Sequence, residues 1–201
     1  MRLPSESNQQ LFLKSLAAEN AVLHSGLGVM LAVAGTETAA QAFFLGSAAL
    51  ALILLNGLVA ALAGDLLQKR APVWLLVMQS ALAAALIGQL FRDRLTELPP
   101  VTGVLLATLA VSPVAFARAR TGTANMTIGR SLFDAAGFGT GLVAALVALG
   151  SLRELLGRGA VGQTRLLAHP PAPWMGTLLG GFLLGALALA LFRVARARSA
   201  P

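Results

Sequence analysis

Few side chains in this sequence are equipped for chemistry, and most of those sit at the edges of apolar runs. Asp134 opens a glycine-dense apolar stretch. An ionisable group in lipid is costly and faces protein or water. Asp134 therefore reads as a cation or proton contact, or as a helix-start charge favoured by the helix dipole. Arg153 and Glu154 close the same stretch. They read as an ion pair at an interface or gate, or as a stop signal at the membrane edge. Arg118, with Arg120 and Arg130, suits an acidic partner or anionic lipid, or is loop charge that sets topology. His24 could carry protons or join Met30 on a metal. On an ideal helix these two point ~120° apart, so the plainer role for His24 is a satisfied polar contact. No cysteine is present, which removes disulfides, thiolate metal sites and cysteine-held clusters from this chain. No glycine-rich phosphate loop, nucleotide fingerprint or Ser/His/Asp arrangement occurs.

The elements that position these residues are apolar. The chain is 57% hydrophobic and 11% charged, with a mean hydropathy of +0.78. A soluble domain is roughly 45–50% apolar and about a quarter charged. The chain is thus expected to be an all-α integral membrane protein. A net charge of +7 would suggest nucleic acid in a soluble chain. Here the arginines lie between apolar segments, so membrane topology explains them and no nucleic acid is expected.

The organising stretch is residues 20–36, NAVLHSGLGVMLAVAGT. Its apolar part, 21–34, would reach about 21 Å as a helix, short of a hydrocarbon core of about 30 Å. A glycine-interrupted half-span beside full spans is a feature of transport proteins. Ala32-Val33-Ala34 resembles a signal-peptidase site, but the polar lead, Glu19 and the broken apolar run argue against cleavage. Full spans are expected at 39–63, 73–91, 131–152 and 174–194. A further span at 101–117 is interrupted by Ser112-Pro113, which frees a backbone carbonyl and breaks or kinks the helix. Polar connections are expected at 118–130 and 153–173. Gly57-Leu58-Val59-Ala60-Ala61-Leu62 recurs as Gly141-Leu142-Val143-Ala144-Ala145-Leu146. With broken segments first and fourth, this predicts six transmembrane segments as two inverted three-helix repeats, about 19–98 and 99–195. Residues 1–18 are then an N-terminal cytoplasmic extension or surface helix. Arg2, Lys14, Lys69, Arg70, Arg118, Arg120, Arg130, Arg193, Arg196 and Arg198 share one side; the other five basic residues face them. That bias puts both termini in the cytoplasm of a bacterial inner membrane.

The motifs then resemble a known family. Asn20-Ala21-Val22-Leu23 with Leu27-Gly28-Val29-Met30, and Thr36, Thr38 and Ala42, follow the first half-helix of the Rnf and Nqr membrane subunits. Residues 131–141 and Leu149-Gly150-Ser151-Leu152-Arg153-Glu154-Leu155-Leu156-Gly157-Arg158-Gly159 follow the second half. The resemblance is nearest to the E subunit of Rnf and the D subunit of Nqr. It implies six helices in inverted repeats and a sister subunit of opposite topology. It also implies an iron–sulfur cluster held at the midplane by one cysteine per half-helix, with electron flow coupled to Na⁺ or H⁺ movement. Those two cysteine positions are Met30 and Pro113 here, and a family glutamate is Arg120. A thioether is a weak ligand and proline offers none, so no cluster is expected on this chain.

The resulting expectation is a structural or ion-conducting membrane subunit of an Rnf/Nqr-like ion-translocating electron-transport complex, at most a non-catalytic part of the translocase. Any iron–sulfur cluster and flavins belong to partner subunits. Its neighbours are membrane lipid, a sister subunit and other complex subunits. The alternative is a stand-alone or homodimeric small transporter of the same fold. Asp134, Arg153, Glu154, Arg118, Asn20 and His24 are the expected ion-path or interface residues.

Overall fold

A computed structural model describes residues 7–18, 28–69, 73–121, 127–162 and 164–199. The first element is α1 (Asn8–Leu13), continued by a π-helical turn (Lys14–Ala18). Ser7 and Gln10 form a reciprocal capping box: the Gln10 amide donates to Ser7 Oγ at 3.2 Å, and the Ser7 amide to Gln10 Oε1 at 3.0 Å. Two amides that a helix start leaves without partners are thereby satisfied. This segment packs on the bundle. Leu11 and Ser15 are buried against the later helix α8 (Ile128–Arg158). Gly137 makes the approach possible, because a Cβ there would collide with the Phe12 carbonyl oxygen.

The short helix α2 (Val29–Ala34) lies in the organising stretch; residues 19–27, with Asn20 and His24, lie outside the described residues. α3 (Ala39–Lys69) follows after a Thr38 cap, where the Gln41 amide donates to Thr38 Oγ1 at 3.1 Å. Next come α4 (Val73–Leu90) and the short α5 (Arg92–Glu97). The fourth apolar segment is broken where expected, into α6 (Val101–Leu109) and α7 (Pro113–Thr121). Pro113 has no amide hydrogen, and the ladder ahead of it tightens into bonds from Ala110, Val111 and Ser112 to the carbonyls three residues earlier.

α8 outruns its expected span at both ends, so Arg153 and Glu154 belong to its last turns and not to a loop. It stops at Gly159, whose φ of +69° is a left-handed cap that glycine adopts without strain. A two-residue hairpin pairs β1 (Ala160–Val161) with β2 (Thr164–Arg165), a small departure from an all-α chain. A 3-10 turn (Pro173–Gly176) then leads into α9 (Leu178–Ser199).

Among the described residues, three helical stretches are long and apolar enough to cross a membrane: Ala39–Leu62, Val101–Arg118 and Ile128–Arg158. Trp74–Leu90 and Leu178–Val194 are shorter apolar helices. The exterior carries large apolar side chains in rows, such as Met78, Leu82, Leu86 and Leu90 on α4. Such a surface would aggregate in water and suits a hydrocarbon surround.

α3 and α8 are each 31 residues long and form the main packing of the bundle. They run antiparallel: Ala42 meets Gly150, Gly46 meets Val143, Leu50 meets Gly139, and Gly57 meets Ala135. A glycine on one helix or the other brings the backbones close at each crossing point, the device that drives helix association where apolar burial gives little. A Cβ on Gly150 would lie 2.8 Å from Ala42 Cβ and 3.0 Å from the Thr38 carbonyl oxygen. Gly150→Leu should therefore destabilise the folded protein by roughly 1–3 kcal/mol, read as a lowered thermal midpoint in detergent. Gly103 on α6 has nothing within 4 Å, and Gly103→Leu should leave the midpoint unchanged or slightly raised.

Candidate ion-path and helix-end sites

Asp134 is the seventh residue of α8, beyond the first turn, so it is not a helix-start charge. It is 5% exposed. One carboxylate oxygen accepts from the Ser15 hydroxyl. The other lies 3.3 Å from Arg118 Nε. Arg118 also donates to Ser15 Oγ at 3.1 Å, and its guanidinium sits 4.7 Å from the centre of the Phe138 ring. The cluster joins three elements: the π-helical turn, α7 and α8. Arg118 is the sixth residue of α7, the helix that restarts at Pro113. A cation approaching Asp134 would have to displace the guanidinium that already neutralises it.

Arg153 and Glu154 are adjacent and both buried, yet they do not pair with each other. Arg153 gathers oxygens from two chain turns. Nη1 donates to the Val33 carbonyl at 2.6 Å and to Thr36 Oγ1 at 3.4 Å, where α2 ends. Nε donates to the Met175 carbonyl at 3.0 Å, and Nη2 to the Thr177 carbonyl at 2.6 Å, where the 3-10 turn ends. A planar fork with five donors suits this task. Glu154 does the reverse. Its Oε2 accepts from the Ala39 amide at 2.9 Å, at the start of α3, and its Oε1 from the Gly162 amide at 3.1 Å in the hairpin. The last orphan carbonyls and first orphan amides of neighbouring elements are thus satisfied by one dipeptide. Two glycines of α9 and α8 make room. A Cβ on Gly181 would lie 2.8 Å from Arg153 Nη1, and one on Gly157 would lie 2.7 Å from the Gly176 amide nitrogen. Outside this cluster, Arg158 forms a 2.6 Å ion pair with Glu37, with side chains 49% and 32% exposed.

A second buried polar group was not singled out from the residue types. Asn56 in α3 is fully buried and donates to Ser80 Oγ at 2.8 Å and to the Ala115 carbonyl at 2.9 Å, while Gln79 donates to Asn56 Oδ1 at 3.2 Å. Gln41 likewise donates to Thr102 Oγ1 at 3.1 Å. The signal was an amide inside an otherwise uncharged apolar run, which in lipid marks a helix contact.

The cluster that the resemblance implies does not fit the donors present. Met30 is 62% exposed on α2, and Pro113 is exposed at the start of α7. Neither offers a thiolate, and the chain has no cysteine to stand in for one. Among the described residues, no group of three His, Asp or Glu side chains could hold a metal ion.

These features define a polytopic helical membrane protein built on two long crossed helices and interrupted shorter ones. The chain belongs to the Rnf-Nqr family: the family model, described as an Rnf-Nqr subunit and membrane protein, matches residues 8–195. Relatives include the E subunit of the proton-translocating ferredoxin:NAD(+) oxidoreductase complex of Clostridium ljungdahlii, 28% identical over 92% of this chain and 87% of the relative. The E subunit of the ion-translocating oxidoreductase complex of Edwardsiella ictaluri is 30% identical over 80% of this chain and 69% of its own length. The E subunit of the Na(+)-translocating ferredoxin:NAD(+) oxidoreductase complex of Acetobacterium woodii is 31% identical over 61% and 62%.

Stranding a buried acceptor costs about 1–3 kcal/mol, and Arg153 serves several. Arg153→Ala should therefore lower stability by more than ~3 kcal/mol. Arg153→Lys should recover little, because an ammonium cannot span both turns. Arg158→Ala, at an exposed pair, should change stability by less than ~1 kcal/mol. Chemical unfolding in detergent, followed by circular dichroism, measures all three.

Proposed function

We propose that this chain is a membrane subunit of an Rnf-type ion-translocating electron-transport complex, structural or ion-conducting, that does not itself bind an iron–sulfur cluster. The observation that carries the reading is the Asp134–Arg118–Ser15 cluster. It ties the segment restarted at Pro113, and the N-terminal segment, to the family's Asp-bearing helix. The broken-helix framework of the family is thereby kept, while its two cysteine positions carry Met30 and Pro113. The relatives are named as subunits of ion-translocating oxidoreductase complexes.

The proposed topology is six segments in two inverted repeats, about 19–98 and 99–195, after an N-terminal cytoplasmic extension of residues 1–18. It is supported by the matched pattern of a short helix, a 31-residue helix and a third helix: α2, α3, α4 and then α7, α8, α9. The antiparallel crossing of α3 and α8 is what inverted halves require. With ten basic residues facing five, both termini lie in the cytoplasm of a bacterial inner membrane. A sister subunit of opposite topology covers the face carrying Met30 and Pro113, and flavins and clusters sit on partner subunits. Asp134 and Arg118 are the ion-path residues in this reading, and Asn20 and His24, outside the described residues, are further candidates from the sequence. Arg153 and Glu154 hold the helix ends that frame the path.

The loss of both cysteine positions favours a second reading, a stand-alone or homodimeric transporter of this fold. Purification from native membranes under mild detergent separates the two. The first reading expects other Rnf-type subunits, including flavin-bearing ones, in fixed ratio with the tagged chain. A homodimer free of redox partners would reject it and support the second. A reporter fused to the C-terminus should read cytoplasmic; a periplasmic signal would overturn the orientation.

A further inference from the structure

One hollow lies away from the charged clusters described above. It is a groove of about 550 Å³ between the first half of α3 and the end of α4 with α5. Ala40, Ser47, Ala48 and Ala51 form its small-residue floor on one face of α3, recurring at helical spacing. Phe44 and Phe91 meet edge to face at 6.0 Å and form one wall. At one end stand Arg94 and Glu97, paired at 3.3 Å with side chains 73% and 67% exposed.

We propose that this groove binds one acyl chain of a zwitterionic phospholipid of the phosphoethanolamine type. Length supports a lipid chain. From Ala40 to Ala51 the floor runs about 17 Å along α3, close to the roughly 15 Å of hydrocarbon in one leaflet. The floor lies within the Ala39–Leu62 span, and the charged end lies beyond the end of α4. The groove is thus apolar at chain depth and charged only where a headgroup sits. Charge supports the headgroup. Arg94 presents a guanidinium that pairs with phosphate, and Glu97 presents a carboxylate one turn on that pairs with a primary ammonium. The two would exchange their exposed mutual contact, worth little in water, for a phosphate and an amine held at fixed spacing. An anionic headgroup would meet Glu97 with like charge. A neighbouring protein helix would need a side chain wide enough to fill the hollow beside the phenylalanine wall, and it would leave both charges at the mouth to be matched separately. This site is independent of whether the chain works in a redox complex.

The test is native mass spectrometry of the full chain released from nanodiscs of equimolar phosphatidylethanolamine and phosphatidylglycerol. At least one phosphatidylethanolamine should stay bound, retained about tenfold over phosphatidylglycerol. Ala51→Phe fills the hollow from an exposed position and should abolish retention. Arg94→Gln leaves the hollow intact and should keep a bound lipid while collapsing the preference to near parity. Equal retention of both lipids by the unaltered chain would overturn the headgroup assignment. Unchanged retention in Ala51→Phe would overturn the groove. Cross-linking of an Ala51→Cys variant to a neighbouring protein in native membranes would assign the groove to a protein helix instead.

Discussion

The close antiparallel approach of α3 and α8 sets the terms for everything else in this bundle. Two 31-residue helices reach about 46 Å, more than a hydrocarbon core of about 30 Å. Their glycines at Gly46, Gly57, Gly139 and Gly150 let the backbones nearly touch. The shorter elements can only pack around that pair. Once packed, their ends lie where water cannot complete backbone hydrogen bonds, so the chain supplies its own partners.

The two ends of α8 meet that demand with different chemistry. Near its start, Asp134 and Arg118 neutralise each other and draw the N-terminal turn in through Ser15. Near its end, Arg153 and Glu154 ignore each other and serve backbone groups of opposite sign. A buried ion pair adds little net stability and breaks at a high cost. A guanidinium on helix-end carbonyls instead fixes where α2, the 3-10 turn and α9 converge. The first cluster can change state if the pair separates, which is what an ion route requires. The second is spread over backbone groups of several elements and acts as a fixed clamp.

Much of this was legible from residue types. Pro113 announced the break between α6 and α7, since a residue without an amide hydrogen cannot continue the ladder. The uncharged runs announced α3 and α9. Helix ends were less legible. Arg153 and Glu154 looked like a loop because charge normally ends a membrane span, and only their backbone partners, distant in sequence, explain why α8 continues to Arg158. Residues 1–18 read as an extension or surface helix, and the residues that the described part of this segment packs against were not legible: its approach to α8 depends on Gly137 admitting the Phe12 backbone. Asn56 was visible as a polar residue in an apolar run, but its partners Ser80 and Ala115 come from two other helices. The motif ending at Gly159 was recognisable as a string; its geometry showed that Gly157 and Gly159 serve packing and a left-handed turn.

Where the resemblance implies the two cluster cysteines, this chain carries Met30 and Pro113, both exposed at the broken segments. The direct measurement is iron quantification with electron paramagnetic resonance on the purified chain, reconstituted anaerobically with iron and sulfide. No stoichiometric iron and no cluster signal are expected. A stoichiometric cluster held by this chain would contradict the assignment of Met30 and Pro113 to the ligand positions.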